Sequence, residues 1–175
     1  GHGWGYCQSI ENNMGIRVSD RVSYLRTIWH EMSRIHSHLL WLGLLADGFG
    51  FESLFMHTWR LRESILDLFE MTTGGRVIFS VCKVGGLRRD VDSESLNKIS
   101  LTLKNIKSEL SELCQVFIDD DSVKNRLIGV GRLSKEDAAD LCTVGPMARA
   151  SGIATDIRLT DIGKYNELGF KPITE

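Results

Sequence analysis

What this sequence has little of narrows it before any pattern is read. It lacks an excess of charge of either sign. The formal net charge of the 175 residues is -2, and Lys and Arg are spread along the chain, so nucleic-acid binding has no electrostatic footprint to start from. It lacks any apolar run approaching the roughly 18 to 20 residues that cross a bilayer, and no secretory n-region and h-region opens it; the reading is a soluble chain. It lacks paired cysteines: Cys7, Cys82, Cys114 and Cys142 make no CxxC or other metal-ligand spacing, and they read as reduced thiols of a cytosolic protein. It lacks a phosphate loop, since Gly74-Gly75 and Gly85-Gly86 have neither the spacing nor the strand-to-helix context. No G-x-S-x-G signature marks a hydrolase, and no internal repeat or low-complexity segment is visible.

What is there is helix. From Ser19 to Asp47 apolar residues recur in steps of three and four, Val22, Leu25, Trp29, Met32, His36, Leu39, Gly43 and Ala46 along one seam. Tyr24, Ile28, Ile35, Leu42 and Leu45 form a second, offset seam. A helix apolar on two sides needs neighbours on both, so this stretch predicts the central rod of a bundle, on the order of 40 Å long at 1.5 Å per residue. Glu31, Arg34, His36 and His38 are set into that surface, and charges or imidazoles placed there require partners.

The remaining elements follow in order. A short amphipathic helix over about Trp4 to Met14 turns Tyr6 or Cys7, Ile10 and Met14 inward and stops at Gly15. Ser19 or Asp20 caps the rod. A helix over about Glu52 to Thr72 carries Leu54, Phe55, Thr58, Leu61, Ile65, Leu68 and Phe69 inward. Arg76 to Val84, β-branched and bounded by Gly pairs, reads as a strand or half a hairpin. Leu96, Ile99, Leu103, Ile106, Leu110, Leu113 and Phe117 repeat every 3.5 residues, which predicts near-antiparallel packing against the rod. Asp119 to Asp121 reads as a solvated acidic turn. Ser134 and Asp137 head a short helix in the manner of a capping box, and Gly145 to Ile153 is a small-residue stretch suited to close packing. The fold class is therefore mainly α, a helical bundle around a long central helix with a small β portion. Length argues for a single domain, 1-175, and both ends look cut from a larger chain.

Nothing here composes a catalytic centre by itself. His36 and His38 are two apart and point to different sides of a helix, so they cannot share one metal ion. Two places stand above the background. His2 and Tyr6 lie four apart on one helical face, their plain reading being an exposed His and a half-buried Tyr. Arg149, with Asp156 and Arg158, reads either as a solvated charge pair or as a guanidinium placed near a buried cofactor.

The residues resemble a known family. Tyr6-Cys7-Gln8-Ser9-Ile10-Glu11, Arg34 through Gly43, Arg62-Glu63, Leu66-Asp67-Leu68-Phe69-Glu70, Gly74-Gly75-Arg76, Gly85-Gly86, and Gly145-Pro146 through Ile153 to Asp156-Ile157-Arg158 look like the large subunit of energy-converting nickel-iron hydrogenases. They are similar also to its relative in respiratory complex I, the D-type chain of NADH-quinone oxidoreductase. The resemblance covers nearly the whole chain in order. It implies a helical bundle packed against a small iron-sulfur subunit, and other peripheral-arm subunits, on the cytoplasmic side of a membrane complex. In that family two CxxC pairs hold nickel and iron; neither is in this chain, so it would hold no cofactor of its own and be inactive alone, and the isolated fragment would tend to self-associate.

Within the resemblance, Tyr6 matches a tyrosine placed at the quinone headgroup in complex I. His2 matches a histidine just after the first CxxC in the hydrogenase branch, a position that orients metal ligands. Arg149 is the candidate electrostatic group near the cavity. Gly48 stands where the quinone branch has an aspartate, Ile78 where it has a histidine, Lys83-Val84 where it has Arg-Pro, and Gly163-Lys164 where it has Pro-Tyr; these departures weigh toward the hydrogenase side. The resemblance thus implies an oxidoreductase of hydrogen and protons coupled to iron-sulfur electron transfer. The alternatives are a quinone-binding NADH-quinone oxidoreductase subunit and a degenerate, non-catalytic scaffold.

Overall fold

The structure, a computed structural model, describes residues 1–174. Its described residues form seven α-helices and one two-stranded sheet, and the chain divides into two compact units, Gly1–Lys124 and Asn125–Glu175.

The first unit starts with α1, His2–Met14, closed by Gly15 in the left-handed conformation that glycine adopts without a Cβ penalty (φ 65°). The inner face of α1 is Trp4, Cys7 and Glu11; of the alternatives Tyr6 and Cys7 it is Cys7 that turns inward, while Tyr6 is exposed and so is Met14, which was expected inside. The 3-4 spacing fits both choices, and Trp4 with its larger apolar surface takes the interior. Helix α2, Asp20–Gly48, begins where Ser19 Oγ accepts from the Val22 amide, as the sequence indicates. Leu25, Trp29, Met32, Leu39, Gly43 and Ala46 of the first seam are buried. The second seam is only half enclosed: Ile28 and Ile35 are partly buried against the core, while Tyr24 and the neighbouring Trp41 and Leu44 stay exposed.

Helix α3, Glu52–Thr73, ends at Gly74 (φ 82°) and lies along α2 with Leu54, Thr58, Leu61, Ile65, Leu68 and Phe69 buried. Thr72 serves both sides, its hydroxyl accepting from the Trp29 indole N–H at 3.1 Å and donating to the Leu68 carbonyl. At Gly43 side chains of α3 come close to the α2 backbone. A Cβ there would come within 2.6 Å of the Trp59 ring. Gly43→Ala is therefore expected to be destabilising by about 1 kcal/mol in a denaturant titration, the middle of the range left when overpacking of about 1–3 kcal/mol is set against the helix-propensity gain of about 1 kcal/mol.

After α3 the expected strand forms only at its end. β1, Cys82–Lys83, pairs antiparallel with β2, Gly86–Leu87. Upstream, Val77 and Ile78 are exposed, and Arg76 folds back onto α3, where Glu63, Asp67 and Glu70 all bond its guanidinium. Those carboxylates, one helical turn apart, draw the start of the segment back along α3, and among the described residues no strand lies beside it there to form a ladder.

Helix α4, Ser93–Asp119, is capped by Asp92, whose carboxylate accepts from the Ser95 amide at 2.7 Å. Its seven heptad residues all face the core, with Ile99, Ile106 and Leu113 fully buried. The expected pairing with α2 is corrected: α4 packs chiefly on α3, which is thus flanked on both sides. The heptad repeat fixes the crossing geometry but not the partner. The acidic run lies at the solvent-facing end of α4, as expected, and is also a helix junction: Asp120 Oδ1 accepts from the amides of Ser122 and Val123 and starts α5, Asp121–Leu127.

In the second unit Ser134 caps α6, Lys135–Asp140, by accepting from the Asp137 amide while its hydroxyl donates to that carboxylate. Helix α6 packs on α7, Gly145–Ala150, which opens with Pro146 in its first turn. The alanines Ala138 and Ala148 are fully enclosed.

Candidate functional site

The strongest polar centre of the first unit is one that sequence reasoning missed. Glu11 and Arg26 are 4% and 3% exposed, and Arg26 Nη1 and Nη2 donate to the two carboxylate oxygens of Glu11, each at 2.8 Å. Nη2 also donates to the carbonyls of Lys83 and Gly86, both at 2.9 Å, and the Gly85 amide donates to Glu11 Oε1 at 2.8 Å. One fork-to-fork ion pair thus ties α1, α2 and the hairpin turn into a single node. The Arg26 hydrogen bonds hold the Glu11 carboxyl below the usual carboxylate range, against the opposing effect of burial. Close by, burial pushes the Cys82 thiol up, so it stays protonated at neutral pH. The sequence did carry a signal: Glu11 falls four residues after Cys7 on an otherwise apolar face, and Arg26 lies beside the Leu25–Trp29 seam.

His2 and Tyr6 share the outer face of α1, where Tyr6 is 69% exposed and His2 is exposed as well. Arg149 belongs to the second unit. Its Nη1 donates to Asp156 Oδ2 at 2.8 Å, and Arg158 grips the same carboxylate from the other side, Nε to Oδ1 at 2.9 Å and Nη2 to Oδ2 at 2.7 Å. The Arg158 guanidinium lies 3.9 Å over the centre of the Phe170 ring. The side chains of Arg149, Asp156 and Arg158 are only 13%, 5% and 11% exposed, so this is a half-buried network rather than a solvated pair. Arg158 first, then Arg149, keep Asp156 ionised far below the ordinary carboxylate range.

Of the polar residues set into α2, Arg34 pairs with Glu31 at 3.2 Å, and His36 Nε2 accepts from Arg62 Nη2 at 2.8 Å. A guanidinium only donates, so His36 must be neutral, and burial together with Arg62 lowers its pKa below the usual imidazole value. The unfolded chain therefore binds the proton more readily. His36 contributes stability that is complete above about pH 6.5 and declines as pH falls from there toward the lower folded value. The urea midpoint of the wild type is expected to drop between pH 7.5 and 5.5 by more than that of His36→Gln; equal slopes would refute the assignment.

Among the described residues no three of His, Cys, Asp and Glu converge as they would to hold a metal ion, and no helix is long and apolar enough to cross a membrane.

With this geometry in hand, comparison with known proteins is specific. The profile of the family described as "Respiratory-chain NADH dehydrogenase, 49 Kd subunit" matches residues 48–175. The chain is 37% identical to the alpha subunit of the membrane-bound hydrogenase of Pyrococcus furiosus over 99% of its own length and 41% of that protein's. It is 40% identical to the C/D chain of the NADH-quinone oxidoreductase of Phocaeicola vulgatus over 95% of its length and 32% of that protein's. Among solved structures, a chain of the membrane-bound sulfane sulfur reductase, an archaeal respiratory membrane complex, superposes with a TM-score of 0.88 at 30% identity, covering 94% of this chain and 45% of that one. The chain thus spans less than half the length of these relatives.

Proposed function

The chain belongs to the family of the 49 Kd subunit of respiratory-chain NADH dehydrogenase, and from that premise we propose that it is part of the large subunit of a membrane-associated, nickel-iron hydrogenase-like complex. The whole enzyme would interconvert protons and hydrogen, with electrons passing through iron-sulfur clusters. The observation that supports this reading is the 37% identity to a membrane-bound hydrogenase subunit over 99% of the chain. The second reading, a quinone-reducing subunit, has in its favour the 40% identity to the NADH-quinone oxidoreductase chain.

A nickel-iron centre requires thiolates that bridge the metals. The four thiols here do not fit one: Cys7 is buried in the α1 interior, Cys82 is half-buried on β1, and Cys114 and Cys142 are exposed on separate elements. In this reading the stretch supplies the frame. The outer face of α1, with His2 and Tyr6, meets the small iron-sulfur subunit, and Arg149 is the electrostatic group held ready by Asp156. Other peripheral-arm subunits cover Trp41, Leu44 and the second seam of α2, and the assembly sits on the cytoplasmic face of the membrane. Separated from those partners, the exposed apolar groups favour self-association.

The test is metal analysis of the full-length gene product purified with its small subunit, together with hydrogen evolution from a reduced donor. About one nickel per complex with hydrogen evolution is expected. Absence of nickel, with quinone reduction in its place, would overturn the proposal in favour of the second reading.

A further inference from the structure

A cleft of about 80 Å³ opens in the first unit between the start of α1, the middle of α2 and the segment leading into β1. Trp4, Trp29 and Phe79 wall it, and Arg26, His30, Ser33 and Cys82 contribute to its lining. Arg26, 3% exposed, spends its Nη hydrogens on Glu11, Lys83 and Gly86, while its buried Nε–H has no acceptor. Leaving a buried donor of a charged group unmade is unfavourable by at least about 1–3 kcal/mol, and a group of this kind in a native protein is ordinarily met by ordered water. An anion is the wrong occupant, because Glu11 already neutralises the guanidinium at 2.8 Å; the vacant donor calls for a neutral acceptor. A water needs roughly 10–15 Å³ of such space and two or more polar neighbours, and the cleft meets both conditions for several.

We propose that this cleft is a water site, its innermost water accepting from Arg26 Nε–H and the others leading past Ser33 and His30 to solvent, and that it is the inlet through which the buried Glu11–Arg26–Cys82 node exchanges protons. Each water takes a proton from one neighbour and passes one to the next, so nothing is consumed and no charge accumulates. The reading is independent of which redox reaction the whole enzyme performs.

The test is NMR on the arginine-labelled protein. In the wild type the Arg26 Nε–H is expected to show direct cross-relaxation with water. Ser33→Val, which replaces the hydroxyl with two methyl groups that narrow the cleft and offer no hydrogen bond, is expected to slow its exchange with solvent at least tenfold, while the Arg158 Nε–H, held by Asp156 in the second unit, is unchanged. Absence of the water cross-peak in the wild type would overturn the site, a measurement that stands even if Ser33→Val fails to fold. Unaltered Arg26 exchange in a folded Ser33→Val protein would overturn the inlet.

Discussion

Arg26→Met is expected to lower the stability of the first unit by about 3–5 kcal/mol, the range seen when one partner of a buried ion pair is removed, read as a shift of the urea midpoint at constant slope. The size follows from what is left behind. Glu11, 4% exposed, would keep only the Gly85 amide at 2.8 Å, and the Lys83 and Gly86 carbonyls would lose their shared donor. Methionine fills much of the same space without replacing any of these bonds. The double change Glu11→Leu with Arg26→Met removes both charges, so it is expected to be distinctly less damaging than Arg26→Met alone, despite the lost bonds to the hairpin. A loss below about 1 kcal/mol in the single variant would mean that α1 and the hairpin are held by apolar contact instead.

That node also marks the limit of what local pattern could tell. The buried seams of α2 and α3 were legible because a 3.6-residue period names the inward face directly. The stops at Gly15 and Gly74 and the caps at Ser19 and Ser134 were legible because each depends on one side chain or one φ angle. The inner face of α1 was read only in part, Cys7 being one of its two alternatives, because a carboxylate is not expected on an apolar stripe, and its reason for being there, Arg26, lies fifteen residues away on another helix. The strand over Arg76 to Val84 was overdrawn for a related cause. β-branched residues predict extended backbone, but only a neighbouring strand makes it a ladder, and here one exists only opposite Cys82 and Lys83. Likewise the Arg149–Asp156–Arg158 network looked solvated because nothing in its own sequence reveals the ring of Phe170 beneath Arg158.

Phe69→Ala carries the second large effect, an expected loss of about 3–5 kcal/mol for emptying a core aromatic site. Phe69 is fully buried and stacks on Phe79 with ring centres 3.8 Å apart and planes within 11°. It is thus what fastens the segment between α3 and the hairpin to the core, where no ladder does so. A double-mutant cycle with Phe79→Ala is expected to give a coupling of about 0.5–1.5 kcal/mol; additive losses would deny the stack any role beyond the area it buries. Phe69 also presents its ring at 88° to His36, centres 6.4 Å apart, and burial is the first cause of the lowered pKa of that imidazole. Removing the phenyl ring admits water toward His36, so the folded-state pKa of His36 in Phe69→Ala is expected to rise toward the ordinary value of about 6.5. An NMR titration of the His36 ring reads that directly. If the pKa stays low after the ring is gone, the cation of Arg62 at 2.8 Å outweighs desolvation in keeping His36 neutral.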